Sequence, residues 1–336
     1  MTVPRLLEDI RNQPSSFRQT AAFLPRSGVA GLAEAIRRAP GVLLTGMGSS
    51  LYAGMILGHS LDRLGIPNRV IETAELLHFP YRLRRDELVV LISRSGETVE
   101  SHELLSLLKD RNAQFAGVTS VAESTLARAC ERRMVVSHLP DEIVAVQSYT
   151  ATVLALQGLA ALLAGGPADA FLDQAEAIAA ATGQWLPELE ARASEWKSFL
   201  ENAACLYVLG RGTSLASALE AGLLFHEVSK QPASAVSAPN FRHGPVEISG
   251  PQTRVVLFAN QSATRSLDLA LATDLRHFGA EVRVIETPGD PVWAEVIETI
   301  PLQLAALWLA QWRGIPLGQF RFASQVTRAE DRFTSP

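Results

Sequence analysis

The sequence predicts an α/β protein made of two tandem doubly wound parallel sheets, each a three-layer αβα arrangement, with flanking helices and an extended C-terminal tail. Three observations predict it. Short apolar strand-like runs alternate with helical stretches, which implies parallel strands joined by right-handed crossovers. A pattern of apolar strand, glycine-serine loop and helix start occurs at residues 41–50 and again at 205–214, a duplication at roughly half the chain length. Finally, Leu88-Val89-Val90-Leu91-Ile92 is a continuous apolar run of the kind found in strands buried on both faces.

Residues 4–25 read as a helix, with Leu6, Leu7, Ile10 and Phe17 on one face and Pro14 as a break. Val29 to Arg38 reads as a second helix. Gly41 to Gly46 is a strand, and Gly48-Ser49-Ser50 opens a helix through Leu64. Asn68 to Glu72 suggests a strand, Ala74 to Phe79 a brief helix, Leu88 to Ile92 the central strand and Val99 to Lys109 its following helix. Phe115 to Thr119 and Met134 to Ser137 continue the alternation, and Tyr149 to Leu163 is an Ala/Leu-rich helix. After Gly165-Gly166-Pro167, residues 168–202 read as helical. The second half offers strands at Cys205 to Leu209, Arg254 to Ala259 and Glu281 to Ile285, with helices at Ser266 to Phe278 and Pro301 to Trp312. The expected organisation is an N-terminal helical segment (1–30), a first α/β domain (31–166), a helical connector (167–200), a second α/β domain (201–318) and a tail (319–336).

Composition narrows the function. The 336 residues are 47% hydrophobic and 19% charged with a formal net charge of -5, which argues against a nucleic-acid groove. No run has the length of a membrane span and the N-terminus lacks a signal-peptide core, so the expected location is cytoplasmic. Cys130 and Cys205 stand far apart with no metal-ligand spacing and read as buried free thiols. Lysine is confined to Lys109, Lys197 and Lys230, so chemistry that needs an amine has three candidates.

The run after the central strand, Ser93-Arg94-Ser95-Gly96-Glu97-Thr98, combines hydroxyl donors, a glycine that lets backbone close in, and the free N–H groups of a new helix. Such a loop can hold an anion, most simply a phosphate; the alternative is a helix capped by Ser95 or Thr98 with nothing bound. The corresponding run in the second half, Ala259-Asn260-Gln261-Ser262-Ala263-Thr264, lacks the glycine and the first hydroxyls, and is expected to have lost any anion loop.

Taken together the motifs resemble the sugar isomerase (SIS) domain family in its double-domain form, as in the isomerase half of glucosamine-6-phosphate synthase. Glu8-Asp9-Ile10-Arg11-Asn12-Gln13-Pro14 is similar to the family's EI-x-x-QP segment. Gly46-Met47-Gly48-Ser49-Ser50 and Ser93 to Thr98 resemble its two sugar-phosphate loops. Gly210-Arg211-Gly212 with Ala218-Leu219-Glu220-Ala221-Gly222 resembles the second domain's opening, Phe241-Arg242-His243-Gly244-Pro245 its KHGP signature and Val326-Thr327 its C-terminal VT. The resemblance implies that Ser93, Ser95 and Thr98 bind the phosphate of a hexose 6-phosphate. Arg94 and Gly96 would assist through backbone, Ser49 and Ser50 contribute from the first loop, and Val144 lies in the substrate-binding segment before the last helix of the first domain. It further implies that Glu227 moves a proton between C1 and C2 and that His243 assists at the ring oxygen. Neither a metal nor a cofactor is implied, and a homodimer with composite sites is expected. His226, beside Glu227, is expected to face elsewhere on its helix, in packing or at a subunit contact.

Departures from the pattern shape the expected chemistry. The family's lysine before the VT is absent from Ala323-Ser324-Gln325-Val326-Thr327; the lysine one turn before the helix glutamate is Leu224; a Thr-Lys pair is Val146-Gln147. Lys230, one turn after Glu227, is the single lysine placed to substitute. Without an imine-forming lysine the chain fits substrates that already carry an amine. Met1 leads straight into the EI-x-x-QP-like segment, so no glutaminase activity is expected. The expected function is therefore a deaminase/isomerase of an amino-sugar 6-phosphate or a deglycase of a fructosamine 6-phosphate. The alternatives are a plain aldose/ketose hexose-phosphate isomerase and a sensor that binds an amino-sugar phosphate without turnover.

Overall fold

The computed structural model describes residues 4–201, 203–289, 293–317, 320–322, 324 and 326–332. The chain divides into two compact units. We call the one made of Ser15–Pro140, Gln147–Glu176 and Phe320–Pro336 the first unit, and the one made of Met1–Pro14, Asp141–Val146 and Ala177–Gln319 the second.

The chain begins with α1 (Arg5–Phe23) and α2 (Val29–Arg38). Then follow β1 (Gly41–Gly46), α3 (Ser49–Arg63), β2 (Asn68–Glu72), α4 (Thr73–His78), β3 (Glu87–Ile92) and α5 (Val99–Asp110). The first sheet is completed by β4 (Gln114–Thr119), α6 (Thr125–Ala129) and β5 (Arg133–Val135), before α7 (Gln147–Leu163). Next come α8 (Ala168–Ala191), α9 (Ala193–Leu200), β6 (Cys205–Gly210), α10 (Ser214–Leu224) and β7 (Ala233–Ser237). The chain continues with α11 (Ala238–Phe241), β8 (Thr253–Phe258), α12 (Arg265–His277), β9 (Glu281–Ile285), α13 (Ala294–Ile297) and α14 (Ile300–Trp312).

Both sheets are parallel throughout, in the order β2-β1-β3-β4-β5 in the first unit and β7-β6-β8-β9 in the second. In each, the first strand lies between its second and third, so the chain reverses its direction of travel across the sheet at β1/β3 and at β6/β8. Loops that leave the carboxyl ends of such a pair diverge and leave a crevice. In the first unit that crevice receives the loops 46–49 and 93–98, since Val42 pairs Leu88 and Thr45 pairs Leu91 in register.

Every residue of β3 is buried, as its unbroken apolar run requires, and Leu43, Val89 and Leu91 pack with Leu104, Leu105, Leu108, Leu126 and Cys130. In the second unit Leu209, Val255 and Leu257 pack with Phe241, Leu271 and Leu275. Each such side chain contributes about 1.5–3 kcal/mol on burial, so both crevices are built on rigid sheets. Cys130 is buried and burial pushes its thiol up to about 12, which leaves it inert; Cys205 is free and half-buried rather than fully enclosed.

Two details depart from the sequence expectations. Pro14 does not break α1. Proline removes the donor that the Ile10 carbonyl would have received, and the Gln13 side-chain amide supplies one instead at 3.1 Å while also donating to Gln303 Oε1 at 2.8 Å. The strand β7 carries no sequence signal strong enough to predict it, because Ala233-Ser234-Ala235-Val236-Ser237 is short and small-residued; pairing with β6 defines it.

Candidate functional site

The loop 93–98 is held from behind by its own unit. Ser93 N–H donates to Val118 O, the Arg94 carbonyl accepts from Ser120 N–H and Thr119 Oγ1, and the Gly96 carbonyl accepts from Leu126 N–H at 3.2 Å. Gly96 has φ +65°, and a Cβ there would overlap Ser124 Oγ and stand 2.6 Å from Ser124 Cβ. Only glycine meets both demands. Glu97 carries a charge beside a proposed anion loop, and the fold turns it away: its carboxylate accepts from Thr125 N–H at 2.6 Å, Thr125 Oγ1 at 3.0 Å and His102 Nε2 at 3.0 Å. The Thr125 backbone bond, above all, holds the Glu97 carboxyl below the usual range.

The front of the loop is differently arranged. Thr98 caps α5 by accepting from Ser101 N–H, as one of the two sequence readings expected of it. Ser93 Oγ accepts from Gly96 N–H and Ser95 Oγ from Glu97 N–H, each at 3.2 Å, so both hydroxyls keep their own protons to donate. Ser49 and Ser50 form the first turn of α3 after Gly48, whose φ is +49° and which gives that helix no side-chain cap. Among the described residues neither of their hydroxyls makes a hydrogen bond. Two helix N-termini and their hydroxyls therefore meet at adjacent loops of one sheet edge, with Ser49, Ser50, Arg94 and Ser95 half-buried. The tail reaches the same place: the Thr327 carbonyl accepts from Val99 N–H at 3.0 Å, and Glu330 pairs with His78 at 2.7 Å, which raises the His78 pKa. In the tail segment Ala323-Ser324-Gln325-Val326-Thr327, Ala323 and Gln325 lie outside the described residues.

The second unit uses the same plan and fills it. Gln261 donates to Thr213 Oγ1 at 2.8 Å, and Ser214 Oγ and Asn260 Nδ2 both donate to Glu298 Oε2, at 3.0 and 2.6 Å. Glu298 is fully buried, and burial pushes its carboxyl above the usual range. Arg211 pairs with buried Asp268 at 2.6 Å. Protein side chains stand where the first unit leaves hydroxyls open.

Glu227, His243 and Val144 belong to the second unit, whereas the loops 46–50 and 93–98 belong to the first. Glu227 lies half-buried in a π-helical turn, Phe225–Ser229, that prolongs α10. Such wide turns recur at functional sites. His243 is exposed, just after α11, with its backbone N–H on Asn240 O at 2.9 Å. His226 is exposed too, its Nε2 accepting from Ala233 N–H at 3.0 Å, a local structural bond. Val144 is buried in a segment fixed by Asp9, which accepts from Glu142 N–H at 3.0 Å, and by the Arg5–Glu142 pair at 2.7 Å. Burial raises the Asp9 carboxyl to about 6. Sequence reasoning gave no role to Glu97, Gln261 or Glu298. Apart from His102, their partners lie 28 or more residues away, and only Glu97, an acidic charge inside a hydroxyl-rich loop, offered a signal.

Among the described residues, no group of His, Cys, Asp and Glu is arranged to hold a metal ion, and no helix is long and apolar enough to cross a membrane.

Comparison with known proteins gives concordant findings. The SIS domain profile matches residues 35–162 and 199–295. The isomerizing glutamine–fructose-6-phosphate aminotransferase of Pyrobaculum aerophilum is 27% identical over 330 residues, covering 92% of this chain and 55% of that protein. That of Symbiobacterium thermophilum is 28% identical over 358 residues. The chain spans about half the length of these curated relatives. Among solved structures, a glucosamine-6-phosphate deaminase from Thermotoga maritima superposes with a TM-score of 0.81 at 24% identity, covering 97% of this chain and all of that one. A tagatose-6-phosphate ketose/aldose isomerase from Escherichia coli superposes at 0.79 with 21% identity over 93% of each.

Proposed function

Because the chain belongs to the SIS domain family, we propose that it is an enzyme of phosphosugar metabolism acting on an amino-sugar or fructosamine 6-phosphate, by proton transfer through an enol or enamine intermediate. The observation that carries this reading is the loop 93–98: the hydroxyl protons of Ser93 and Ser95 left to donate, beside the open hydroxyls of Ser49 and Ser50, on a backbone braced from behind. The phosphate binds there through neutral dipoles aimed in advance, each strengthened as water leaves. The aminotransferase and deaminase relatives support an aminated sugar over a plain one.

Glu227 takes the proton from one of C1 and C2 and returns it to the other, and His243 acts as the acid and base at the ring oxygen or the departing amine. The exposure of His243 suits a homodimer in which it completes the site of a second copy. The reaction runs in the cytoplasm, on small molecules, with no cofactor. The structural likeness to a ketose/aldose isomerase favours, as a second reading, simple isomerisation of a hexose phosphate.

Incubation with a panel of hexosamine 6-phosphates, fructosamine 6-phosphates and plain ketohexose phosphates, with assay of ammonia, free amine and aldose 6-phosphate, tests both. Release of ammonia or amine supports the first reading; turnover of the plain sugars alone supports the second. Glu227→Gln should bind the phosphosugar and turn none over, and unchanged turnover in that variant would remove Glu227 from the mechanism.

A further inference from the structure

Lys230 ends the π-helical turn with φ +54°, one of two non-glycine residues among those described, with Asn112, in the left-handed region. Glycine would take that conformation with less strain, so a long charged side chain at this point calls for a use of the side chain. The turn converges on a few acceptors. The Lys230 and Gln231 N–H groups and Ser229 Oγ all donate to the Phe225 carbonyl, and Lys230 Nζ folds back to donate to the carbonyl of Glu227 at 2.5 Å. The ammonium thus closes a loop three residues long around the glutamate and sits at the negative end of the helix that carries it.

We propose that Lys230 is a positioning residue for Glu227, holding the turn that aims the carboxylate, and that it does not form an imine with an open-chain sugar. This rests on Glu227 being the proton-transferring group. The physical reason is that a hydrogen bond from Nζ to a carbonyl favours the ammonium, whereas imine formation needs the nitrogen lone pair of the neutral amine. A lysine committed to the backbone of its own helix is a clamp. It also explains how a chain with no lysine at the other family positions can keep a lysine next to its proposed base without using it covalently.

Two variants separate backbone from side chain. Lys230→Gly keeps the left-handed turn and removes the ammonium; Lys230→Arg keeps a cationic donor. On the phosphosugar that the wild type turns over, Lys230→Gly should lower kcat about tenfold with KM nearly unchanged, as expected for a misaligned reacting group, and Lys230→Arg should recover most of it. Equal kcat in Lys230→Gly and wild type, or a change in KM alone, overturns the proposal. Borohydride reduction in the presence of fructose 6-phosphate, followed by peptide mass analysis, should leave Lys230 unmodified; a reduced sugar adduct on Lys230 overturns it as well. Should the wild type turn over no phosphosugar, the function proposed above fails, and the clamp is still tested by amide hydrogen exchange of residues 227–231. Exchange faster in Lys230→Gly than in wild type and Lys230→Arg supports it, and equal exchange in all three overturns it.

Discussion

The two halves of this chain build equivalent sheet edges with opposite results. After β3 the first unit presents Ser93 and Ser95 with protons free to donate, beside Ser49 and Ser50, and directs its one carboxylate, Glu97, backwards onto Thr125. After β8 the second unit inserts Asn260 and Gln261 into the equivalent place and buries Glu298 against the start of α10. A helix N-terminus has unsatisfied donors either way. One unit leaves serine hydroxyls open beside it, and the other engages its hydroxyls with its own side chains. The duplication therefore preserves the scaffold while leaving one loop with open hydroxyls, and in the second copy Asn260, Gln261 and Glu298 fill the equivalent place.

The largest expected effect comes from Gly96→Val. It forces a β-branched residue to φ +65° and drives a side chain into Ser124, costing about 3 kcal/mol of stability, measured by denaturant unfolding, and abolishing phosphosugar binding. Tolerance of valine there would break the claim that the loop's shape is over-determined. Next, Ser50→Ala combined with Ser95→Ala removes two donors to a charged ligand and should weaken phosphosugar binding about a hundredfold by calorimetry. Gln261→Ala in the other unit should leave affinity within about twofold, since by the comparison nothing binds there.

The fold and the location of the open loop were legible in the sequence because they are local: an apolar run, then hydroxyls and a glycine, then a helix, each readable within a dozen residues. What decides whether such a loop is open is not local. Glu97 and Thr125, Gln261 and Thr213, and Ser214 and Glu298 are separated by 28 to 84 residues. The missing glycine at 259–264 announced that the second loop differs, but not that it is filled. Pro14 misled for a different reason, because the amide that repairs the helix comes from its neighbour Gln13, a residue whose usual place is at a surface.

A smaller effect is expected of Glu97→Gln, which weakens the brace to Thr125 and should raise KM several-fold at unchanged kcat. The Glu97 carboxyl lies below its usual value of 4.5 in the folded protein, so the stability it contributes is present above pH 4.5 and is lost as pH falls through the folded value. Unfolding followed from pH 6 down to 3 should show wild type losing more stability than the variant. The smallest effect belongs to Glu298→Gln. Its carboxyl is raised above 4.5 by burial, so below pH 4.5 both states are protonated and, as pH rises, the unfolded chain ionises first and the wild type loses stability until the folded pKa is passed. The variant should match wild type near pH 4 and gain on it as pH rises; the reverse trend would mean that Glu298 is ionised and held by its partners.

The most direct test of one open anchor and one closed copy is a titration of isotope-labelled protein with glucosamine 6-phosphate, followed by backbone amide shifts. The account predicts saturation at one phosphosugar per chain, with shifts concentrated at residues 48–51 and 93–99 and the amides of 211–214 and 259–264 unmoved. Saturating shifts at 211–214 and 259–264, or binding that leaves 93–99 unperturbed, would contradict it.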